Sequence, residues 1–226
     1  MPASVDPLEN IRILHQGREQ LVPLATVVDR IRSHANVVLD LGCGDARHVQ
    51  TQARLDPDTL FVGVDLVADN MRKVSNQANR KPARGGTPNL LLLVADALTL
   101  PISLAHSADR VSIICPWGAL LRGVVLSDPL VLSRLAMPLK PGGRMHIRLN
   151  LHTFQEHALR ERLHLPTIHT EAPDANLLAG LQQAGLDVVR WEMAPDKELN
   201  VRTTWGQRLR HGSRRDILDI EVCPRA

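Results

Sequence analysis

The stretch VVLDLGCGDARH at 37–48 sets a run of apolar residues, an acid and two glycines in the order of a strand, a tight turn and a helix start. Gly42 and Gly44 let the backbone pass close beneath a ligand where a Cβ would collide, and the amides that open the next helix can bind polar ligand groups. A dinucleotide-binding turn needs a third glycine three residues after the second, so that helix and pyrophosphate can approach. Arg47 stands there instead. Asp40, two residues before the first glycine, would repel a pyrophosphate and attract a cationic amino-acid group. Together these residues favour S-adenosyl-L-methionine over NAD, the plain alternative being a strand-turn-helix that binds nothing.

Later strands supply the rest of such a site. LFVGVD at 60–65 is a buried strand ending in Asp65, about twenty residues past the glycine turn, where a carboxylate can hold a ribose diol; a helix N-cap is the competing use of that acid. NLLLLVA at 89–95 ends in Ala95 and is followed by Asp96, whose carboxylate can accept the exocyclic amine of an adenine. The expected cofactor-binding set is therefore Asp40, Gly42, Gly44, Asp65, Ala95, Asp96 and Pro116, the last from the CPWG that ends the fourth strand.

The elements that must position these residues alternate. Residues 11–22 carry two short alternating runs around Gln16-Gly17, a β-hairpin outside the main sheet, and 23–34 form a helix with Leu24, Val27, Val28 and Ile31 on one face. Crossover helices are expected at 46–55, 67–79 and 174–184, and two helical pieces across 119–139 break near Ser127-Asp128-Pro129. Strands are expected at 110–115 and 144–151, with a turn at Lys140-Pro141-Gly142-Gly143. Residues 186–192 and 217–222 alternate as antiparallel edge strands do. This order predicts a doubly wound, mostly parallel α/β sheet in one domain spanning 1–226. Its first 35 residues form the hairpin and helix, and 152–173 and 193–204 are insertions on the substrate side.

Charge is nearly balanced, 27 Lys and Arg against 24 Asp and Glu, so its distribution matters more than its sum. Residues 71–86 hold Arg72, Lys73, Arg80, Lys81 and Arg84 with no acid, and 207–215 hold four arginines with none. Two such patches suit a polyanion; each alone would also suit a solvated face. Three scattered cysteines make neither a disulfide framework nor a zinc site, and no metal is expected. No leader or membrane-spanning run is evident, which points to a soluble, cytoplasmic protein. With no tyrosine, two phenylalanines and three tryptophans, each tryptophan needs a reason. Trp191 lies on an alternating strand and reads as sheet packing.

DLGCG after the first strand and LKPGG before the fifth resemble the class I S-adenosylmethionine-dependent methyltransferases, a likeness that covers nearly the whole chain from Val37 onward. It implies a Rossmann-like, seven-stranded, mostly parallel sheet with an antiparallel edge strand, plus the N-terminal β-hairpin. It also implies that Trp117, at the carboxyl end of the fourth strand, faces the methyl acceptor. Members that methylate exocyclic amines place a hydrogen-bond acceptor before their proline; here Cys115 is a poor one, which fits a ring nitrogen with a free lone pair. Cys115 itself reads as a small buried hydrophobe rather than a nucleophile.

PWGALLRG at 116–123 resembles, more specifically, the aminoglycoside-resistance methyltransferases of the Kam and Npm type, which modify N1 of adenine 1408 in 16S ribosomal RNA. KPARGGTPNL at 81–90 resembles that family's basic loop, and TTWGQRL at 203–209, followed by Arg214-Arg215, its second tryptophan and arginine-rich segment. The resemblance implies Trp117 and Trp205 as a pair that sandwiches a flipped adenine, Thr203 near the cofactor, and Lys81, Arg84, Arg208 and Arg215 on the phosphate backbone. The implied partner is 16S rRNA in the 30S subunit, with the enzyme a monomer. Ala119 replaces a hydroxyl residue of the family and Ser213 an arginine of one relative, which implies reduced affinity for cofactor and RNA. Two alternatives stay open: a class I methyltransferase for another RNA site or a small molecule, and an inactive RNA-binding homologue.

Overall fold

Runs of leucine and valine too continuous to leave either face wet become the middle of the sheet. These are β3 (Asn36–Leu41), β4 (Thr59–Asp65) and β5 (Leu90–Val94), buried almost end to end. The computed structural model describes residues 9–155, 157–173, 175–194 and 216–225. β3 pairs in parallel with β4 and with β6 (Ala108–Ile114), β4 with β5, and β6 with β7 (Leu139–Asn150). β9 (Ile217–Pro224) runs antiparallel to β7 and to β8 (Leu186–Met193), as their alternating sequences require.

Among the described residues the sheet has nine strands, in the order β2-β1-β5-β4-β3-β6-β7-β9-β8, rather than the expected seven with a separate hairpin. The difference lies in the hairpin of β1 (Asn10–His15) and β2 (Arg18–Pro23), which belongs to the sheet rather than standing outside it. Ile13 pairs antiparallel with Leu93, so β1 covers the otherwise open edge of apolar β5. Gln16 and Gly17 both take positive φ, the conformation a two-residue hairpin turn needs. The fully buried Ser75 hydroxyl donates to Leu14 O and accepts from Gly17 N, both at 3.0 Å, which fastens the turn to the helix behind it.

That helix is α3 (Ala68–Ala78); with α2 (Arg47–Leu55) it packs on one face of the sheet through Val49, Ala53, Met71 and Val74. The other face is covered by α1 (Leu24–Arg32), α4 (Gly118–Val125), α5 (Pro129–Ala136) and α8 (Ala175–Gln183). Ser127 at positive φ ends the first half of the α4–α5 pair, and the Asp128 carboxylate accepts Leu130 N at 2.9 Å as the N-cap before Pro129. The expected turn at 140–143 is an irregularity inside β7: pairing with β6 breaks after Leu139 and resumes at Arg144, with Gly142 at φ 78°. Lys140 Nζ lies 2.8 Å from the Asp109 carboxylate that also accepts Val37 N, so this bulge ties together the start of β3 and the flank of β6. Between β7 and α8 lie two short helices, α6 (His152–Gln155) and α7 (His157–Leu163). Trp191 packs against the core as expected of a strand residue, and its indole N–H donates to His169 O at 3.2 Å, pinning the stretch before α8.

Candidate active site

The carboxyl ends of β3, β4, β5 and β6 meet at the glycine turn. Gly42 and Gly44 have φ of 74° and 59°, and the amides of Gly42 and Cys43 both donate to Val64 O at 2.9 Å, bending the chain sharply between β3 and α2. A Cβ on Gly42 would come within 2.8 Å of Leu120 Cδ2, so α4 leans over this turn, whereas the space beside Gly44 is open. Ala46 also holds a positive φ of 57°, a conformation that costs a residue with a side chain roughly 1–2 kcal/mol.

Asp65 serves the turn rather than a helix. Its Oδ2 accepts Gly44 N and its Oδ1 accepts Val67 N, each at 2.9 Å, while the N-cap position of α3 is Val67 with no side-chain cap. Each oxygen keeps a lone pair for a ligand hydroxyl. Directly beyond it Leu66 is 61% and Val67 50% exposed, an apolar lip that offers a flat ring a surface. The sequence signal for this lip is two apolar residues straight after a strand-ending acid, of which the helix expected at 67–79 accounts only for Val67. Ala95 N donates to Asp65 O at 3.1 Å, and the exposed Asp96 turns one oxygen to Leu98 N at 2.9 Å. These residues lie at three adjacent strand ends.

Asp40 is different in kind: it is 3% exposed and its Oδ1 accepts the Ser112 hydroxyl at 2.7 Å. Burial pushes its carboxyl above the usual range and nearby Asp65 adds to the rise, while the His48 imidazole and the Ser112 hydrogen bond pull it back. Burial pushes His48 down, with Asp40 opposing and Arg148 adding to the fall. Ser112, His48 and Arg148 were not singled out by sequence. Their signal was the polar position on the non-core face of β6 and β7 and a histidine in the first turn of α2. Cys43 beside them is buried, and that burial, with Asp40, Asp65 and Asp45 nearby, drives its thiol well up and keeps it inert. An open glycine turn, a carboxylate with spare lone pairs, an apolar lip and a buried acid fit an adenosine that carries a cationic amino-acid tail.

Across the turn, Pro116 is buried and Trp117 stands 45% exposed at the N-cap of α4. Positive φ at Cys115 and Gly118, on either side of the pair, turns the chain out of β6 there. Cys115 is half-buried rather than the buried hydrophobe expected, because this turn carries it to the end of the sheet. Ala119 is exposed in the first turn of α4.

Lys81 and Arg84 are both exposed on a short loop before β5 built around a 3-10 turn at Pro82–Arg84. Arg54 Nη2 donates to Gly85 O at 2.9 Å, and Thr87 N returns to Ala78 O at 2.8 Å. A Cβ on Gly86 would lie 1.9 Å from Arg80 O, so only glycine lets the loop close on itself. Gly86→Ala should therefore cost about 2 kcal/mol as an overpacking change, or roughly 4–8 °C in Tm at this chain length. Gly85→Ala, strained by φ 80° but facing open space, should cost about 1 kcal/mol. Equal melting curves for the two variants would refute the close approach. Thr203, Trp205, Arg208, Arg215 and Ser213 lie outside the described residues.

The family model of NpmA, 16S rRNA (adenine(1408)-N(1))-methyltransferase, matches residues 15–223. A 16S rRNA (adenine(1408)-N(1))-methyltransferase from Streptoalloteichus tenebrarius is 35% identical over 199 residues, covering 85% of this chain and 88% of its own. Among solved structures, a mutant 16S rRNA (adenine(1408)-N(1))-methyltransferase from Catenulisporales acidiphilia, crystallised with cosubstrate SAM, superposes with a TM-score of 0.85 at 29% identity, covering 96% of this chain and 97% of that one. The aminoglycoside resistance methyltransferase NpmB1 gives a TM-score of 0.78 at 31% identity, with 95% and 99% covered. A sheet of the methyltransferase kind with a glycine turn at its strand ends agrees with a near full-length match: this chain belongs to the NpmA family of 16S rRNA (adenine(1408)-N(1))-methyltransferases.

Proposed function

We propose that this protein transfers the methyl group of S-adenosyl-L-methionine to N1 of adenine 1408 in 16S rRNA of the 30S subunit, as a monomer in the cytoplasm, and so confers aminoglycoside resistance. The observation that carries this reading is Trp117, a large aromatic exposed at the strand end opposite the glycine turn in a chain with five aromatics. When bound, S-adenosylmethionine supplies an electrophilic methyl on a sulfonium sulfur. Asp65 accepts the ribose hydroxyls, Leu66 and Ala95 flank the adenine ring, Asp96 accepts its amine, and the buried Asp40 attracts the ammonium. Gly42 and Gly44 keep the floor clear, Pro116 borders the pocket, and Thr203 stands near the cofactor.

Trp117 and Trp205 stack on either face of the target base. Extracting a base from structured RNA costs a few kcal/mol, and stacking recovers about 1–3 kcal/mol per base. Adenine N1 is unprotonated at neutral pH, so its lone pair forms the new N–C bond as sulfur takes back the electron pair of the old one. No side chain has to remove a proton, and the protein's part is positioning. The positive charge that moves onto the adenine lies between indole faces that stabilise it.

Lys81 and Arg84, with Arg208 and Arg215, hold phosphates. Each such contact adds about 0.7–0.9 to the slope of log affinity against log salt, so Lys81→Glu with Arg84→Glu should weaken 30S binding and flatten its salt dependence while cofactor affinity is kept. An unaltered slope would make the loop an ordinary solvated face. The function itself is tested by incubating the protein with 30S subunits and labelled cofactor and mapping the product by primer extension, because an N1 methyl blocks base pairing. A stop at adenine 1408 supports the reading, and a stop elsewhere or none refutes it. Among the described residues no helix is long and apolar enough to cross a membrane.

A further inference from the structure

Asp40 stands in β3 with little beside it to fix its carboxylate. Its register partner on β4 is Gly63 and the residue two places on is Gly42, so neither offers a side chain. A Cβ on Gly63 would meet Leu92, Cys43 and Val49 at between 2.9 and 3.2 Å, which closes the β4 side to a longer residue that could take hold instead. The register partner on the other flank is Ser112 of β6, whose hydroxyl donates to Asp40 Oδ1 at 2.7 Å. That is the length of a bond from a hydroxyl to an ionised carboxylate. The same hydroxyl lies 3.5 Å from Leu39 O, a more distant and uncharged acceptor, and its one proton serves only one of the two. Among the described residues nothing else hydrogen-bonds to the Asp40 carboxylate, although that residue is only 3% exposed.

We infer that Ser112 is a positioning residue for the amino-acid end of the cofactor: its hydroxyl holds one oxygen of Asp40 so that the other is kept for the cofactor's ammonium. The inference rests on Asp40 receiving the ammonium, as proposed above. Without the hydroxyl the carboxylate loses its partner in a buried place and is free to turn among its staggered rotamers. The ammonium then meets an acceptor that is both less well aimed and less favourably ionised, since a hydrogen bond to the charged form is what favours that form against burial. An acceptor fixed in advance spares the ligand the cost of ordering it.

The effect is confined to ligands that carry the amino-acid tail. Asp65, which the nucleoside end uses, hydrogen-bonds to Gly44 N and Val67 N and takes nothing from β6, so the loss of Ser112 leaves its oxygens where they are. A merely structural serine would act differently: loosening the pairing of β3 with β6 disturbs the glycine turn as a whole and weakens both ends of the ligand together.

Calorimetry at neutral pH with S-adenosylhomocysteine and with 5′-methylthioadenosine, which keeps the nucleoside and thioether but lacks the tail, tests this on the wild type, Ser112→Ala, Ser112→Thr, Asp40→Asn and the variant that combines Ser112→Ala with Asp40→Asn. Ser112→Ala should weaken S-adenosylhomocysteine by about tenfold and 5′-methylthioadenosine by less than about twofold. The ratio of the two affinities within one variant does not depend on how much of the sample is folded. Ser112→Thr, which keeps the hydroxyl, should hold that ratio within about threefold of wild type. In the Asp40→Asn background Ser112→Ala should change the ratio by less than about twofold, because its effect passes through the carboxylate. Equal losses for both ligands in Ser112→Ala, a threonine variant as poor as the alanine one, or the same fall in ratio in both backgrounds overturns the inference. If Asp40→Asn leaves the ratio unchanged, the placement of the ammonium fails and the inference falls with it. If the ratio collapses in Asp40→Asn while Ser112→Ala keeps the wild-type ratio, the placement stands and the role of Ser112 alone is refuted.

Discussion

Trp117→Ala is expected to lower methyl transfer to 30S subunits by about 100-fold or more, with the melting temperature within about 2 °C of wild type. The two halves of that expectation come from one observation. An indole that is 45% exposed at a helix N-cap contributes little to the core, so its removal leaves no closed cavity. Stacking, by contrast, fixes both the plane of the base and the distance of N1 from the methyl carbon, and small errors of placement are costly in rate. Binding of the subunit should survive, because phosphate contacts position a protein on RNA without reading the base. Trp117→Phe keeps a π-face and should retain partial turnover. Trp191→Ala is the structural control: Trp191 is packed against the core and hydrogen-bonded to His169 O, so its truncation should cost about 3 kcal/mol, roughly 6–12 °C. A large melting drop for Trp117→Ala, with activity falling only as far as the folded fraction does, would assign this tryptophan to packing and leave the target base without a platform.

How much of this was legible in the sequence depends on how local each signal is. The parallel strands were readable because leucine and valine runs of five to seven residues admit no other burial, and Asp65 and the glycine turn because spacing alone sets them at adjacent strand ends. The full strand count is not legible in the sequence, because the hairpin joins the sheet through one pair, Ile13 with Leu93, and no periodicity within 11–22 reveals what lies on its far edge. The interruption at 140–143 is legible but its kind is not, since two glycines there suit a turn and a bulge equally well; Asp109, which holds Lys140, decides between them and is thirty-one residues away. The polar floor under Asp40 was illegible for the same reason. Ser112 reaches it from β6, seventy-two residues on, and only the pairing of β3 with β6 makes the two neighbours. The site's charged groups are thus legible one by one, and their arrangement only in three dimensions.

Asp65→Ala should weaken S-adenosylhomocysteine by about 10–150-fold, the equivalent of about 1.5–3 kcal/mol for losing a charged acceptor. Two losses add here. The carboxylate's spare lone pairs no longer meet the ribose hydroxyls, and the amides of Gly44 and Val67 lose the oxygens that aim them, so the glycine turn itself loosens. Because Gly44 is only half-buried, water can replace one of those acceptors, and the melting temperature should fall much less than cofactor affinity does. What makes the prediction specific is the choice of ligand. A ribose contact is shared by every nucleoside, so 5′-methylthioadenosine should suffer as much from Asp65→Ala as S-adenosylhomocysteine does, whereas Asp40→Asn should penalise only the ligand with the amino-acid tail. Calorimetry of both ligands on both variants at neutral pH gives four affinities and one pattern. If Asp65→Ala leaves 5′-methylthioadenosine binding unchanged, Asp65 holds the turn and not the ribose, and the nucleoside lies elsewhere along the strand ends.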